Sequence, residues 1–405
     1  VSRLKLLFVS PRFLFPLNEG GKIRTVGMLR AMKGGPFDIT LVSPGPENLA
    51  DFTADIASAA DRFISWPATR TGKLAQILGV LGPLPASTAS DKSAAGRAVV
   101  AKALADHPDV MVADFPHSAV LLPDRLDPAS VMFTHNVEAE ILERHAAVAN
   151  GWRKLIWRRE AAKMERFERA TLRRFDSVVA VSDRDAAVLA KRYDLPVVPR
   201  IETGVDLEFY SYQPPRTEGG TAVFAGAMDS RSNIDGIEFL LRNVWPRVHA
   251  VMPKAEMLIA GRNPPPALVA EAKASGMNWR FTGSVADIRP HLHAGDVSLI
   301  PLRVGSGTRL KAFEAMASGL PVISTLLGVE GLGLTPGEHF LAADSDAEFA
   351  DAILALLGDT ARRTSMAEGG RALLEARYSW ATIARQFEAI CLEARKRGVD
   401  MGRTT

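Results

Sequence analysis

The residues whose types and spacing are best suited to chemistry form one segment, Val304-Gly305-Ser306-Gly307-Thr308-Arg309-Leu310-Lys311-Ala312-Phe313-Glu314-Ala315-Met316-Ala317-Ser318-Gly319-Leu320-Pro321-Val322-Ile323. Gly305 and Gly307 let backbone N–H groups approach a ligand closely. The good helix formers from Leu310 to Ala317 predict a helix whose positive N-terminal end faces the same spot. With Thr308 and the cations of Arg309 and Lys311, this end could hold a diphosphate. Glu314, about one turn inside the helix, could accept hydrogen bonds from the two hydroxyls of a ribose. The competing reading is an ordinary strand-loop-helix junction capped by Ser306 or Thr308, with Lys311 and Glu314 as a weak surface pair. The flanks favour a ligand. The segment follows apolar Asp296 to Pro301 and leads through Gly319-Leu320-Pro321 into Val322 to Thr325, which is the crevice position of open parallel sheets.

The elements that must position this segment are strands and helices in alternation. Leu4 to Ser10, Asp38 to Ser43, Val110 to Ala113, Val131 to Thr134 and Ser177 to Val181 are strand candidates separated by helical segments, the pattern of a parallel sheet covered by helices. Asp206 to Gly220 is polar, carries Pro214-Pro215 and Gly219-Gly220, and is expected to be a linker. Thr221 to Ala225, Glu256 to Ala260, Trp279 to Thr282, Val297 to Pro301, Val322 to Thr325 and Phe340 to Ala342 form a second series. The expectation is an α/β protein of two Rossmann-like domains, residues 1–205 and 206–378, with parallel sheets facing across a cleft, and a final helical segment, 379–405.

Composition sets bounds. The 405 residues are 47% hydrophobic and 23% charged, ordinary for a globular protein with a sizeable core. A formal net charge of +3 does not by itself point to nucleic acid. Cys391 is the only cysteine, which excludes an intramolecular disulfide and fits a reducing cytoplasm. No apolar run approaches the ~18 to 20 residues of a spanning helix, and Val1-Ser2-Arg3 leads into the first strand without a signal-peptide core.

Gly-x-Gly-x-Arg-x-Lys-x-x-Glu-Ala-Met-Ala-x-Gly-x-Pro-Val-Ile resembles the donor-site signature of retaining glycosyltransferases of family 4, which have the GT-B fold. Further pieces fall in family order: Asn18-Glu19-Gly20-Gly21, Phe133-Thr134-His135-Asn136, Val181-Ser182 and Gly204-Val205-Asp206. Their order makes the resemblance specific over nearly the whole chain. It implies that the last helix, Trp380 to Arg397, crosses back to the first domain. Two departures stand out. Ser306 occupies the place of the first of two glutamates, and the arginine and lysine usual after the first strand of the second domain are absent from Phe224-Ala225-Gly226-Ala227-Met228-Asp229-Ser230-Arg231-Ser232-Asn233. Arg309 and Lys311 are expected to replace that pair.

Outside the segment, His135 follows a predicted buried strand, where an imidazole can donate to a sugar hydroxyl or stabilise developing charge. A lone histidine is more often structural, but the resemblance implies contact with the donor sugar. Gly20-Gly21 with Arg24 is a short anion loop, which the resemblance places near the diphosphate. Glu330, in Gly328-Val329-Glu330-Gly331, falls in a loop expected near the donor. Asp114 and His117 are candidates for acceptor contact, though Asp114 could equally cap a helix. Asp183-Arg184-Asp185 and Asp344-Ser345-Asp346 read as helix starts, and His291-x-His293 lacks a third ligand, so no metal site is expected. From Gly151 to Phe175 there are nine Lys and Arg against three Glu, with Trp152 and Trp157 interleaved. That composition suits an anionic membrane or a phosphorylated lipid, or else a solvated helix with inward tryptophans.

The resulting expectation is a cytoplasmic, metal-independent retaining glycosyltransferase. It would move a hexose from a UDP- or GDP-sugar to a hydroxyl of a glycan or lipid-linked acceptor, with His135, Arg309 and Lys311 in catalysis and no bound cofactor. A nucleotide-sugar epimerase of the same fold and a catalytically degenerate partner subunit are the rival readings.

Overall fold

The computed structural model describes residues 3–68, 81–304 and 310–400. Two compact units divide the chain, Val1–Gly204 with Trp380–Thr405, and Val205–Ser379. In the first unit, β1 (Leu4–Val9), β2 (Phe37–Gly45), β3 (Arg62–Pro67), β4 (Val110–Asp114), β5 (Ala129–Phe133) and β6 (Ser177–Val179) form one sheet in the order β3-β2-β1-β4-β5-β6. Every pairing is parallel, with Leu6 opposite Val110 and Phe8 opposite Val112. Every residue of β4 and β5 is buried, as a parallel sheet with both faces covered requires.

In the second unit, β7 (Thr221–Ala225), β8 (Glu256–Ala260), β9 (Trp279–Phe281), β10 (Val297–Ile300), β11 (Val322–Ser324) and β12 (Leu341–Ala342) run parallel in the order β12-β11-β10-β7-β8-β9. Starting from the β9 edge, this is the order of the first unit. In such sheets the connections leave in opposite directions where the order reverses, and a crevice opens beyond the carboxyl ends of the two strands there. Those strands are β1 and β4 in the first unit, and β7 and β10 in the second.

Two differences from the sequence expectation have physical causes. β3 was not anticipated, because Arg62–Pro67 begins with a charge, ends in proline and is mostly half-exposed, so the segment lacks the apolar run of a central strand. The supposed linker after Asp206 is instead packed into the second unit. Its backbone carbonyls are claimed by buried or half-buried arginines. Arg371 donates to Leu207 O, Tyr210 O and Ala317 O, and Arg363 donates to Arg216 O and to Leu356 O and Leu357 O at a helix end.

The helix Trp380–Asp400 packs within the first unit, against the helix Gly20–Met32 and the sheet at β5. Ile383, Ala384, Phe387, Cys391 and Ala394 are buried in the same core as Leu6, Phe8, Val26 and Phe133.

Asp296 opens β10 as a buried carboxylate that accepts from both sides of the Arg216 fork at 2.9 and 2.6 Å and from Gly220 N and Thr221 N at 2.8 Å each. Replacing Asp296 with alanine strands two backbone donors at the start of β7. The expected cost is roughly 2–3 kcal/mol, discounted because the Arg216 side chain is half-exposed. Urea unfolding of Asp296→Ala checks this; an unchanged midpoint would show that water replaces the carboxylate.

Candidate functional site

In the first unit the site is built at the switch point between β1 and β4. Gly20 and Gly21 open the helix Gly20–Met32 behind Glu19, which makes no side-chain cap, so no side chain of the N-cap occupies the first-turn amides. A Cβ on Gly21 would lie 2.8 Å from Phe115 Cζ and 3.8 Å from His135 Nδ1. Glycine is what allows this close approach. One turn on, Arg24 is buried and donates through Nε and Nη2 to Thr203 Oγ1 at 2.9 and 2.6 Å, and through Nη1 to His135 Nδ1 at 3.1 Å. Burial lowers the guanidinium pKa to about 10, against the favourable charges of Asp185 and Asp114.

A guanidinium has no acceptor, so Nδ1 of His135 must be bare and its ring proton must sit on Nε2. Nε2 then donates to Asp114 Oδ1 at 2.7 Å, while Ser10 Oγ and Thr25 Oγ1 donate to Oδ2 and Oδ1 of the same carboxylate at 3.0 and 3.1 Å. Burial also holds the imidazole pKa below its usual value, with Asp114 opposing and Arg24 assisting. Phe115 stacks on the ring, with centroids 3.9 Å apart and planes at 17°. Its backbone φ of +64° is in a region that costs a non-glycine residue about 1–3 kcal/mol. The His135 ring is therefore buried, with both nitrogens committed inside the first unit. In this arrangement it orients Arg24 and Asp114 and presents no free donor.

His117 lies on the turn after β4, with Nδ1 3.5 Å from Asp91 Oδ2. Burial lowers its pKa to about 4 and raises that of Asp91 to about 6.

In the second unit the helix Leu310–Ala317 follows β10 and carries Lys311 and Glu314, both half-buried. Lys311 Nζ donates to Asn233 Oδ1 at 2.7 Å and sits 4.4 Å from the centroid of the Phe224 ring. Asn233 is fixed in turn by donating to Ala227 O at 2.6 Å. A Cβ on Gly226 would fall 2.5 Å from the ammonium, so this glycine leaves the space that Lys311 fills. Burial lowers the Lys311 pKa to about 8, against the pull of Glu314. Burial raises the Glu314 pKa, opposed by a hydrogen bond from the Tyr210 hydroxyl and by the charge of Lys311. The arrangement holds a cation beside neutral partners and a carboxylate less than one helical turn away. An anion and a hydroxyl pair on one ligand would meet both.

Gly305, Gly307, Thr308 and Arg309 lie outside the described residues. Glu330 ends the short turn Leu327–Val329 after β11 and is exposed. Ser182 caps the helix Asp183–Tyr193 by accepting from Asp185 N, and Ser345 with Glu348 forms a capping box. Among the described residues no group of three or more His, Cys, Asp or Glu is placed to hold a metal ion.

Both units match one family. Residues 20–209 fit the pattern described as Glycosyltransferase Family 4, and residues 219–359 fit Glycosyl transferases group 1. The chain belongs to glycosyltransferase family 4. Its fold is that of the GT-B glycosyltransferases: sucrose-phosphate synthase from Thermosynechococcus elongatus superposes with a TM-score of 0.66 at 18% identity, covering 96% of this chain and 98% of that one.

Among sequence relatives, the GDP-mannose-dependent monoacylated alpha-(1-6)-phosphatidylinositol monomannoside mannosyltransferase of Corynebacterium glutamicum is 27% identical over 48% of this chain and 56% of its own length. The lipopolysaccharide core biosynthesis mannosyltransferase LpsB of Rhizobium meliloti is 27% identical over 54% of this chain and 66% of its own length. The chain thus spans less than two thirds of either relative.

Sequence reasoning did not find Thr203 and Phe115 as partners in the first unit, or Asn233, Phe224 and Tyr210 in the second. Asn233 had a usable signal, standing in the first turn of the helix that follows β7 at the switch point. Tyr210 had none, since it reaches Glu314 from a segment that reads as a linker.

The hydrogen-bond chain predicts the His135 tautomer. Nitrogen NMR of histidine-labelled protein should show a bare Nδ1, a protonated Nε2, and an imidazole still neutral at pH 6.5, where a free histidine is half charged. A protonated Nδ1 at that pH would mean that Arg24 does not occupy it.

Proposed function

We propose that this protein is a retaining, metal-independent glycosyltransferase that moves a hexosyl group from a GDP- or UDP-sugar to a hydroxyl of a glycan or lipid-linked acceptor. Mannose from GDP-mannose is the first donor to try, because both relatives are named mannosyltransferases and one is named for GDP-mannose. The observation that carries the reading is the pairing of Lys311 and Glu314 on one helix at the switch point of the second unit. Among the described residues Lys311 donates to the amide oxygen of Asn233 and lies over the face of Phe224, and its charge can be shared with a phosphate. Glu314 holds acceptor oxygens for a ribose.

In this mechanism negative charge grows on the β-phosphate as the sugar–phosphate bond breaks. Lys311, Arg309 and the helix end stabilise it, and fixed cations serve where other enzymes use a metal. The acceptor hydroxyl attacks the anomeric carbon on the face from which the diphosphate leaves, which preserves the configuration. In the first unit Gly20 and Gly21 offer uncapped helix amides to an anion, and Arg24, Asp114 and His135 hold that helix in place.

Glu314→Ala should weaken GDP-sugar binding by about 1.5–3 kcal/mol, the scale of hydrogen bonds to a charged group, while the fold persists. Calorimetric titration with GDP-mannose and UDP-glucose measures this and also selects the donor. Unchanged affinity for a donor that binds would remove the ribose role; no binding of any nucleoside-diphosphate sugar would remove the reading itself.

The Lys311 pKa of about 8 adds a pH dependence. A bound diphosphate raises that pKa, so the complex holds more protons than the free protein and affinity falls as pH rises through about 8. At pH 8 binding should take up as much as about half a proton, read from calorimetry in two buffers of different ionisation enthalpy. Lys311→Met should abolish the uptake, and equal heats in both buffers for the parent would show that Lys311 is fully charged beforehand.

A further inference from the structure

The basic segment of the first unit separates into two parts. The helix Gly151–Leu172 runs back along the helix Glu138–Val148, joined through Ala149 and Asn150, with Gly151 at a φ of +58° that suits glycine. Away from this turn three of the cations meet acidic partners, while Arg166 and Arg174 donate to the backbone carbonyls of Ala162 and Pro123. Lys163 pairs with Glu160 at 2.7 Å with both side chains buried, Arg169 pairs with Glu165, and Arg173 bonds Tyr193 O and Asp194. Glu168 accepts from Glu138 N, Ala139 N and the Tyr193 hydroxyl, so it clamps the first helix of the pair onto the second.

At the turn the situation reverses. From Ala146 to Arg159 the chain has the cations Arg153, Lys154, Arg158 and Arg159 and no Asp or Glu. Arg159 donates to Leu81 O, and Arg153 lies over the Trp152 ring, but none of the four forms an ion pair among the described residues. Val148, Trp152 and Leu155 project beside them, 79%, 67% and 67% exposed, and Leu81 adjoins at 66%. Trp157, by contrast, is half-buried and stacked on His145.

We propose that this turn is a docking tip for an anionic lipid surface, with Val148, Trp152 and Leu155 entering the headgroup boundary and Arg153, Lys154 and Arg158 meeting lipid phosphates. The charge is complementary to an acidic bilayer, where each cation near the surface contributes and salt screens it. The apolar residues decide between polyanions. A nucleic acid would engage the cations and could stack on Trp152, but would leave Val148 and Leu155 in water, whereas the interfacial region of a bilayer takes all three. This inference is independent of the sugar chemistry proposed above.

The test is cosedimentation with phosphatidylcholine vesicles containing none or about a third phosphatidylglycerol, at low and physiological salt. Three full-length proteins are compared: the parent, Arg153→Gln/Lys154→Gln/Arg158→Gln, and Trp152→Ser/Leu155→Ser. All changes are at exposed or half-exposed positions, and circular dichroism confirms folding. The parent should bind only the anionic vesicles and less at higher salt, and each variant should need at least tenfold more lipid for half-maximal binding. Failure of the parent to bind at low salt overturns the proposal. So does parent-like binding by the Trp152/Leu155 variant, since that would make the turn a general polyanion patch.

Discussion

A positive charge withdrawn from water must be met by something else, and in each unit the residues at the switch point are organised around one such charge. The two units answer the demand differently. Around Arg24 the protein supplies acceptors and a counter-charge: Thr203 takes two of the guanidinium bonds, His135 takes a third, and Asp114 balances the charge from behind the imidazole. These bonds tie the helix that begins at Gly20 and Gly21 to Thr203 and to the end of β5. Around Lys311 the set among the described residues is of another kind. One amide oxygen and one aromatic face are weaker partners than a carboxylate, and burial lowers the pKa of the ammonium against the pull of Glu314. The first cation is tied into the first unit, and the second stands beside a carboxylate, Glu314, that shares its helix.

The common topology explains why these charges stand where they do. Both sheets reverse their strand order at one point, and side chains there have a gap ahead of them with no helix lying across it. Arg24 rides on the helix that follows β1, and Asn233 on the helix that follows β7, so the two units use equivalent positions for different residue types. Lys311 follows β10 and Asp114 ends β4, again equivalent strands.

Much of this was legible in the sequence. Strands buried on both faces are short, apolar and β-branched, and they announce themselves by alternating with helical segments; β4, β5, β7, β8 and β10 all did. The edge strand β3 did not, because an exposed edge tolerates arginine and proline. Lys311 and Glu314 could be found because helix periodicity puts positions 311 and 314 on one side of a helix whose start is marked by glycines. Their partners could not, because Asn233, Phe224 and Tyr210 come from elements that are distant in sequence and carry no pattern that specifies contact. The basic helix shows a different limit: composition revealed the excess of cations, but only the three-dimensional contacts separated those paired at Lys163, Arg169 and Arg173 from those at the turn.

The helix Trp380–Asp400 has a consequence for how the chain is made. Ile383, Ala384, Phe387 and Cys391 form part of the interior of the first unit, against residues from Leu6 to Phe133. On the ribosome the residues up to Gly204 therefore emerge first yet lack one wall of their core until the second unit has been synthesised in full. The first unit is the last to close, with the helix surface at Gly27, which abuts Trp380, left uncovered in the interval, so the nascent protein depends on its own late segment to bury an early face.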